Sequence, residues 1–180
     1  RRKPRAKSRI AYAEWRTVSS LATFKDHFSG HASHYATYRP TYPESLFQFL
    51  AQAAPRRTLA WDCATGNGQA ARGLVPFFQR VIATDASDSQ IAAAEPMEKL
   101  EFRQATAEHS GLDDGSVDLI TVAQAMHWFD IATFFTEARR VLRTGGVLAF
   151  WCYARNRVNG HCDPIISRMF AEVEDFWPPE

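Results

Sequence analysis

Residues 58–68 read Thr-Leu-Ala-Trp-Asp-Cys-Ala-Thr-Gly-Asn-Gly and decide the fold. Thr58 to Cys63 is a short apolar run that carries an acid, Asp62, near its end, the pattern of a buried strand. Gly66 and Gly68 let the backbone turn tightly and let a ligand approach the main chain. A small-residue helix is expected from Gly68 to Phe78. Strand, glycine turn and helix form the opening of a parallel α/β unit.

Working outward, the alternation repeats. Arg80 to Thr84 reads as a second strand, again followed by an acid, Asp85. Ser87 and Asp88 can cap a helix that runs to Ala94 and is stopped by Pro96. Glu101 to Ala105 is a weaker third strand, and Val117 to Ala123 a fourth. Asp130 is the expected N-cap of the clearest helix. Its stripe is Ile131, Phe134, Phe135, Ala138, Val141 and Leu142, with Gly145 and Gly146 as its stop. Val147 to Tyr153 is a fifth strand. Pro164 opens a last helix with Ile165, Met169, Phe170, Val173 and Phe176 facing inward. Upstream, Pro43 precedes a helix whose spacing turns Leu46, Phe49, Leu50 and Ala53 to the core. The whole predicts a Rossmann-like, doubly wound, mostly parallel sheet with helices on both faces.

Length and composition agree with one such domain. The 180 residues are 46% hydrophobic and 23% charged, ordinary values for a globular protein. No apolar run approaches the ~18 residues of a membrane span. Six of the 21 Lys and Arg fall within residues 1–9, so the other 15 face 20 acids. Residues 1–23 are therefore expected to be a solvated basic leader, and residues 24–180 the domain. The three cysteines, Cys63, Cys152 and Cys162, have no CxxC spacing and suit a reducing, cytoplasmic compartment. His31, His34 and His161-Cys162 lack the spacing of metal ligands, and no metal is expected.

In open parallel sheets the ligand lies outside the carboxyl ends of the strands. Those ends carry Asp62 to Gly68, Asp85, Ala107 with Glu108, and Gln124 to Trp128. Gly66 to Ala71 also matches the dinucleotide fingerprint G-x-G-x-x-A, with Asp85 near the expected spacing. A dinucleotide sets its pyrophosphate against the helix N-terminus, and Asp62 at the mouth of the turn opposes that charge. Asp62 suits instead a ligand with cationic groups, such as S-adenosyl-L-methionine, with its ammonium and sulfonium. It equally suits a strand-end cap that bonds its own turn. Asp85 can accept from two ribose hydroxyls of either ligand.

The stretches 28–43 (FSGHASHYATYRPTYP), 61–71 (WDCATGNGQAA), 81–87 (VIATDAS), 117–130 (VDLITVAQAMHWFD) and 137–151 (EARRVLRTGGVLAFW) resemble the class I S-adenosylmethionine-dependent methyltransferases. The resemblance is to the small-molecule branch that includes trans-aconitate-methyltransferase-like proteins and the methyltransferase type 11 domain. It implies that Asp62, Ala64, Gly66 and Gly68 line the methionine end of the cofactor and that Asp85 binds the ribose. Ala107 and Glu108 would border the adenine, and Gln124 would lie beside the cofactor. Tyr35 and Arg39 resemble a lid, with Arg39 available to the cofactor carboxylate. His127 and Trp128 would face the methyl acceptor, His127 as a base and Trp128 as substrate contact; both also suit anchoring the helix after Asp130.

The implied activity is methyl transfer to a small-molecule acceptor, a carboxylate among them, with neither nucleic acid nor membrane as partner. The sequence departs from that family twice. Ala64 stands where glycine is common and is tolerable only in extended backbone. The family fold has seven strands against five here, which implies a domain incomplete at its C-terminal side. A nicotinamide-dependent oxidoreductase and a cofactor-binding but inactive domain are the alternative readings.

Overall fold

The computed structural model describes residues 42–152 and 159–173. The basic leader, the lid residues Tyr35 and Arg39, Tyr153 and Phe176 lie outside them. The described elements are α1 (Glu44–Ala53), β1 (Leu59–Cys63), α2 (Gln69–Leu74), β2 (Arg80–Asp85), α3 (Asp88–Ala92), β3 (Leu100–Gln104), β4 (Val117–Ala123), a 3₁₀ turn (Met126–Trp128), α4 (Ile131–Val141), β5 (Leu142–Trp151) and α5 (Asp163–Val173).

The strands form one sheet of order β3-β2-β1-β4-β5, with every pairing parallel. The order reverses between β1 and β4, so the crevice of a doubly wound sheet opens there. Alternate residues of each strand divide the core. Ala60, Val81, Ala83 and Leu119 pack with α1 and α2 on one face. Trp61, Ile82, Ile120 and Val122 pack with Phe134, Ala138 and Val141 of α4 on the other. Burial on both faces explains why the inner strands β1, β2 and β4 are largely apolar.

The cap residues act as their chemistry predicts. Ser87 Oγ accepts from Gln90 N at 3.4 Å and Asp130 Oδ1 from Thr133 N at 3.1 Å, each satisfying an N–H that the helix leaves open.

Four expectations about side-chain direction and boundaries are corrected. In α1 the inward aromatic is Phe47, while Phe49 is 66% exposed. The Phe47 ring lies 2.1 Å from where a Cβ on Gly73 would stand, so α1 docks on α2 through the space that glycine leaves. In α4 the buried set is Phe134, Glu137, Ala138 and Val141, and Ile131 and Phe135 are exposed. Glu137 explains the rotation. Its carboxylate accepts from Ser110 N and Ser110 Oγ and pairs with Arg140. The Arg140 and Ser110 hydrogen bonds outweigh desolvation and hold the carboxyl down at about 2.

The third correction concerns the glycine pair. The helix ends at Val141, and Leu142 is already extended and paired with Val117. Leu119 then pairs with Val147, so residues 143–146 form a bulge inside β5, with Gly145 at φ +80°. Finally, Ile165 and Met169 of α5 face solvent, because no described element covers that side of the helix.

At the amino end of the sheet, Asp118 is fully buried. Its Oδ2 accepts from Thr58 N (2.9 Å) and Leu59 N (3.0 Å), and its Oδ1 lies 2.8 Å from Arg143 Nε. One carboxylate thus clasps the entry to β1, its own strand β4 and the bulge of β5.

Candidate functional site

The carboxyl ends of β1, β2 and β4 bring Asp62, the turn 64–68, Asp85 and Gln124 to one edge of the sheet. Asp62 pairs in register with Ala83 of β2 and Thr121 of β4. The turn leaves the strand through left-handed backbone at Ala64 (φ +53°), Gly66 (φ +57°) and Gly68 (φ +90°). Gly68 is then the N-cap of α2. The expectation that Ala64 is extended is therefore overturned. The chain must reverse within a few residues of a buried strand, and that geometry overrides alanine's preference. A left-handed L-residue costs roughly 1–2 kcal/mol. Ala64→Gly is expected to raise stability by about 1 kcal/mol, read as a higher urea midpoint with an unchanged slope.

Asp62 is only 1% exposed. Its Oδ2 accepts from Thr65 Oγ1 at 2.5 Å and its Oδ1 from Thr121 Oγ1 at 2.6 Å. Burial drives its carboxyl up to about 6, against the downward pull of Thr121, Thr65 and the Ala71 backbone, with Asp85 adding a smaller upward push. Neither threonine was singled out from sequence. A threonine three residues after an acid in a turn is a readable signal, whereas the β4 partner needs the strand register. Asp62 thus ties its own turn to β4 and places a carboxyl at the crevice between β1 and β4.

Asp85 is half-buried and bridges two loops. Its Oδ2 accepts from Gly66 N at 2.8 Å and its Oδ1 from Ser87 N at 2.9 Å. A carboxylate oxygen has two acceptor positions, so each oxygen keeps one for a further donor. Glu108 accepts from Asp130 N at 3.0 Å and pins the start of α4 to the loop after β3. Ala107 is buried beside it. Gln124 leaves β4 with φ +61°, and its N–H donates to Trp151 O at 2.9 Å.

Ala125, Met126 and Phe129 pack into the α4-side core and fix the 3₁₀ turn between them. His127 and Trp128 are left outside. Trp128 is 50% exposed, and the two rings stand 4.8 Å apart, centroid to centroid. Helix anchoring therefore belongs to their neighbours. Cys63 lies buried in β1, where burial pushes its thiol well up, so it is inert. Among the described residues no group of three His, Cys, Asp or Glu gathers to hold a metal, and no helix is long and apolar enough to cross a membrane.

This arrangement defines a doubly wound α/β nucleotide-binding fold whose glycine turn is capped by acids. Residues 61–150 match the family model described as "Methyltransferase domain", and the chain belongs to that family. A Dictyostelium discoideum protein bearing the name methyltransferase is 36% identical over 168 residues, which are 91% of this chain and 64% of the relative. The Saccharomyces cerevisiae protein CRG1, named for S-adenosylmethionine-dependent methyl transfer, is 32% identical across 68% of this chain and 45% of its own. Among solved structures, an Anaeromyxobacter dehalogenans protein titled as a type II methyltransferase superposes with a TM-score of 0.74 at 43% identity, over 79% of this chain and 61% of that one. The chain thus spans about half to two-thirds of the length of these relatives. S-adenosyl-L-methionine is the methyl donor of the class.

Proposed function

We propose that this chain binds S-adenosyl-L-methionine at the carboxyl ends of β1, β2 and β4 and transfers its methyl group to a small-molecule acceptor, a carboxylate being one candidate. The observation that carries this reading is the Asp85 to Gly66 hydrogen bond of 2.8 Å. The amide that a dinucleotide's pyrophosphate would use is already given to a carboxylate, with Asp62 close behind it. An anionic ligand meets two acids at this turn, whereas hydroxyls and an ammonium group find acceptors. The residues present therefore fit the methyl donor better than NAD, and argue against the oxidoreductase reading.

When bound, S-adenosyl-L-methionine supplies a methyl group made electrophilic by its sulfonium. Asp85 accepts from the ribose hydroxyls with its two remaining acceptor positions. Asp62, held by Thr65 and Thr121, would supply the negative charge behind the turn for the methionine ammonium, with Gly66 and Gly68 forming the turn itself. Ala107 and Glu108 would border the adenine. Gln124 would lie beside the cofactor at the end of β4. The exposed Trp128 face stabilises a cation by about 0.5–2 kcal/mol. His127 takes the proton from a hydroxyl or amine acceptor; a carboxylate acceptor needs no base. The chief contribution of the chain is alignment of acceptor and methyl carbon.

Calorimetric titration with S-adenosylhomocysteine and with NAD tests the reading. Saturable binding of the first only, weakened at least tenfold by Asp85→Ala, is expected. A folded chain that binds NAD instead, or neither, overturns it.

The pH dependence of the same titration reports on Asp62. In the chain without ligand Asp62 holds its proton below about pH 6. A neighbouring ammonium favours the carboxylate, so affinity should be highest above pH 6 and fall as pH drops through that value. The stability of the free chain runs the opposite way. A carboxyl raised from 3.8 to about 6 makes the folded state bind more protons between those values, so its contribution is full below 3.8 and is lost as pH rises through about 6. Asp62→Asn should flatten both profiles.

A further inference from the structure

Trp151 is the last residue of β5 and lies one strand beyond Gln124, paired in register with Ala123. It shares the α1-side face of the sheet with Ala123, Val147 and Ala149. Strand alternation puts Asp62 and Thr121 on that face too. Tyr42 holds the indole edge-to-face, with centroids 5.3 Å apart and planes at 85°, and Tyr42 in turn packs against Phe47 of α1. Tyr42 thus packs against the indole and leaves its Nε1 to whatever fills the space beside it.

Its Nε1 is buried and meets no hydrogen-bond acceptor among the described residues. Trp151 as a whole is only partly buried; the fully buried indole of Trp61 shows the usual arrangement, with its Nε1 donating to Thr84 Oγ1 at 2.9 Å. A buried donor left unpaired costs the desolvation of that group, and an unpaired one in a site calls for a functional account. The position supplies it. The donor-binding residues proposed above sit at the ends of β1, β2 and β4, and Trp151 ends the next strand of the sheet, so its indole borders that site on the side away from β2, where an acceptor can approach.

Resting on the proposed methyl-transfer reading, we infer that the Trp151 indole N–H is a specificity group that donates to an oxygen of the methyl acceptor, a carboxylate or carbonyl oxygen carried next to a flat apolar surface. Tyr42 and the indole itself provide the surface that such a molecule would pack against. The residue positions substrate and takes no part in proton transfer.

The indole resonance of Trp151 tests this directly. The chain is labelled with ¹⁵N-tryptophan, and the Trp151 signal is identified by its disappearance in Trp151→Phe. Benzoate and benzamide are titrated into the free chain and into the chain saturated with S-adenosylhomocysteine. The expected result is a saturable downfield shift of that one indole proton with at least one probe, and about tenfold weaker binding of that probe to Trp151→Phe. A shift with benzoate alone identifies a carboxylate; a shift with benzamide identifies a neutral carbonyl. Movement on adding S-adenosylhomocysteine alone would assign the N–H to the methyl donor and overturn the inference. So would a signal that neither probe moves in either state. Failure of S-adenosylhomocysteine to bind a folded chain sinks the cofactor reading instead, and the titration of the free chain remains readable.

Discussion

Asp118→Ala is expected to cost about 3–5 kcal/mol of stability, the usual loss when one partner of a buried ion pair is removed. Three groups lose the carboxylate at once: Thr58 N, Leu59 N and the Arg143 Nε, while the guanidinium keeps its bond to Ser116 O. The two amides lie at the entry to β1, ahead of its register with β4, which begins at Ala60. In a domain of this size the loss should lower the melting temperature by about 10 °C. Asp118→Asn keeps an oxygen that can accept from both amides as Oδ2 does and loses only the ion pair with Arg143, so it should lose less. Because Asp118 sits at the amino end of β4 and the candidate site at the carboxyl end, S-adenosylhomocysteine affinity of the folded fraction should change little. Urea denaturation of the three chains measures the first effect and calorimetry the second. A loss under about 1 kcal/mol for Asp118→Ala would mean that water and Arg143 rearrange to replace the clasp.

Gly68→Ala is expected to be nearly as damaging, and to act on the site itself. Two costs combine. The backbone at Gly68 has φ +90°, a conformation that an L-residue adopts at roughly 1–2 kcal/mol. A Cβ there would also stand 2.6 Å from the Phe102 ring, and relieving such overpacking costs typically about 1–3 kcal/mol. The expected total is about 2–5 kcal/mol, with weakened S-adenosylhomocysteine binding because the turn must open. A double-mutant cycle separates the terms. Phe102→Ala removes the clash and leaves the backbone strain, so Gly68→Ala should cost about 1–3 kcal/mol less in that background. Strictly additive losses would show that the ring moves aside freely and that backbone strain is the whole effect.

The pair of costs at Gly68 illustrates what a sequence carries and what it withholds. Glycine in a strand-to-helix turn is readable as a need for unusual backbone. That the ring of Phe102, 34 residues later on β3, fills the vacated space is not readable, since nothing local to either residue encodes the contact. The same holds for Asp62. Its place at a strand end was legible, as was its suitability for a cation or for its own turn. Its second partner, Thr121, depends on the parallel register of β1 with β4.

The sequence by itself determined the order and type of elements. Val117–Ala123 was delimited to the residue, and Ser87 and Asp130 were recognised as caps. Apolar runs buried on both faces, punctuated by glycine, proline and short polar caps, are local signals that tertiary packing reinforces. Tertiary structure alone decided which side of each helix faces inward. An aromatic at helical spacing is apolar whichever way it points, so Phe49 and Phe135 read like core residues. Phe47 won the place because Gly73 leaves room for it, and Glu137 displaced Phe135 because Ser110 and Arg140 satisfy a carboxylate there. Tertiary structure likewise sent Ala64 into left-handed backbone, moved the glycine pair into a bulge of β5, and left His127 and Trp128 on the surface. At Phe47 and Glu137 a contact between distant segments, and at Ala64 the reversal that a buried strand imposes, outweighed a local preference of about 1 kcal/mol, the usual scale of such preferences.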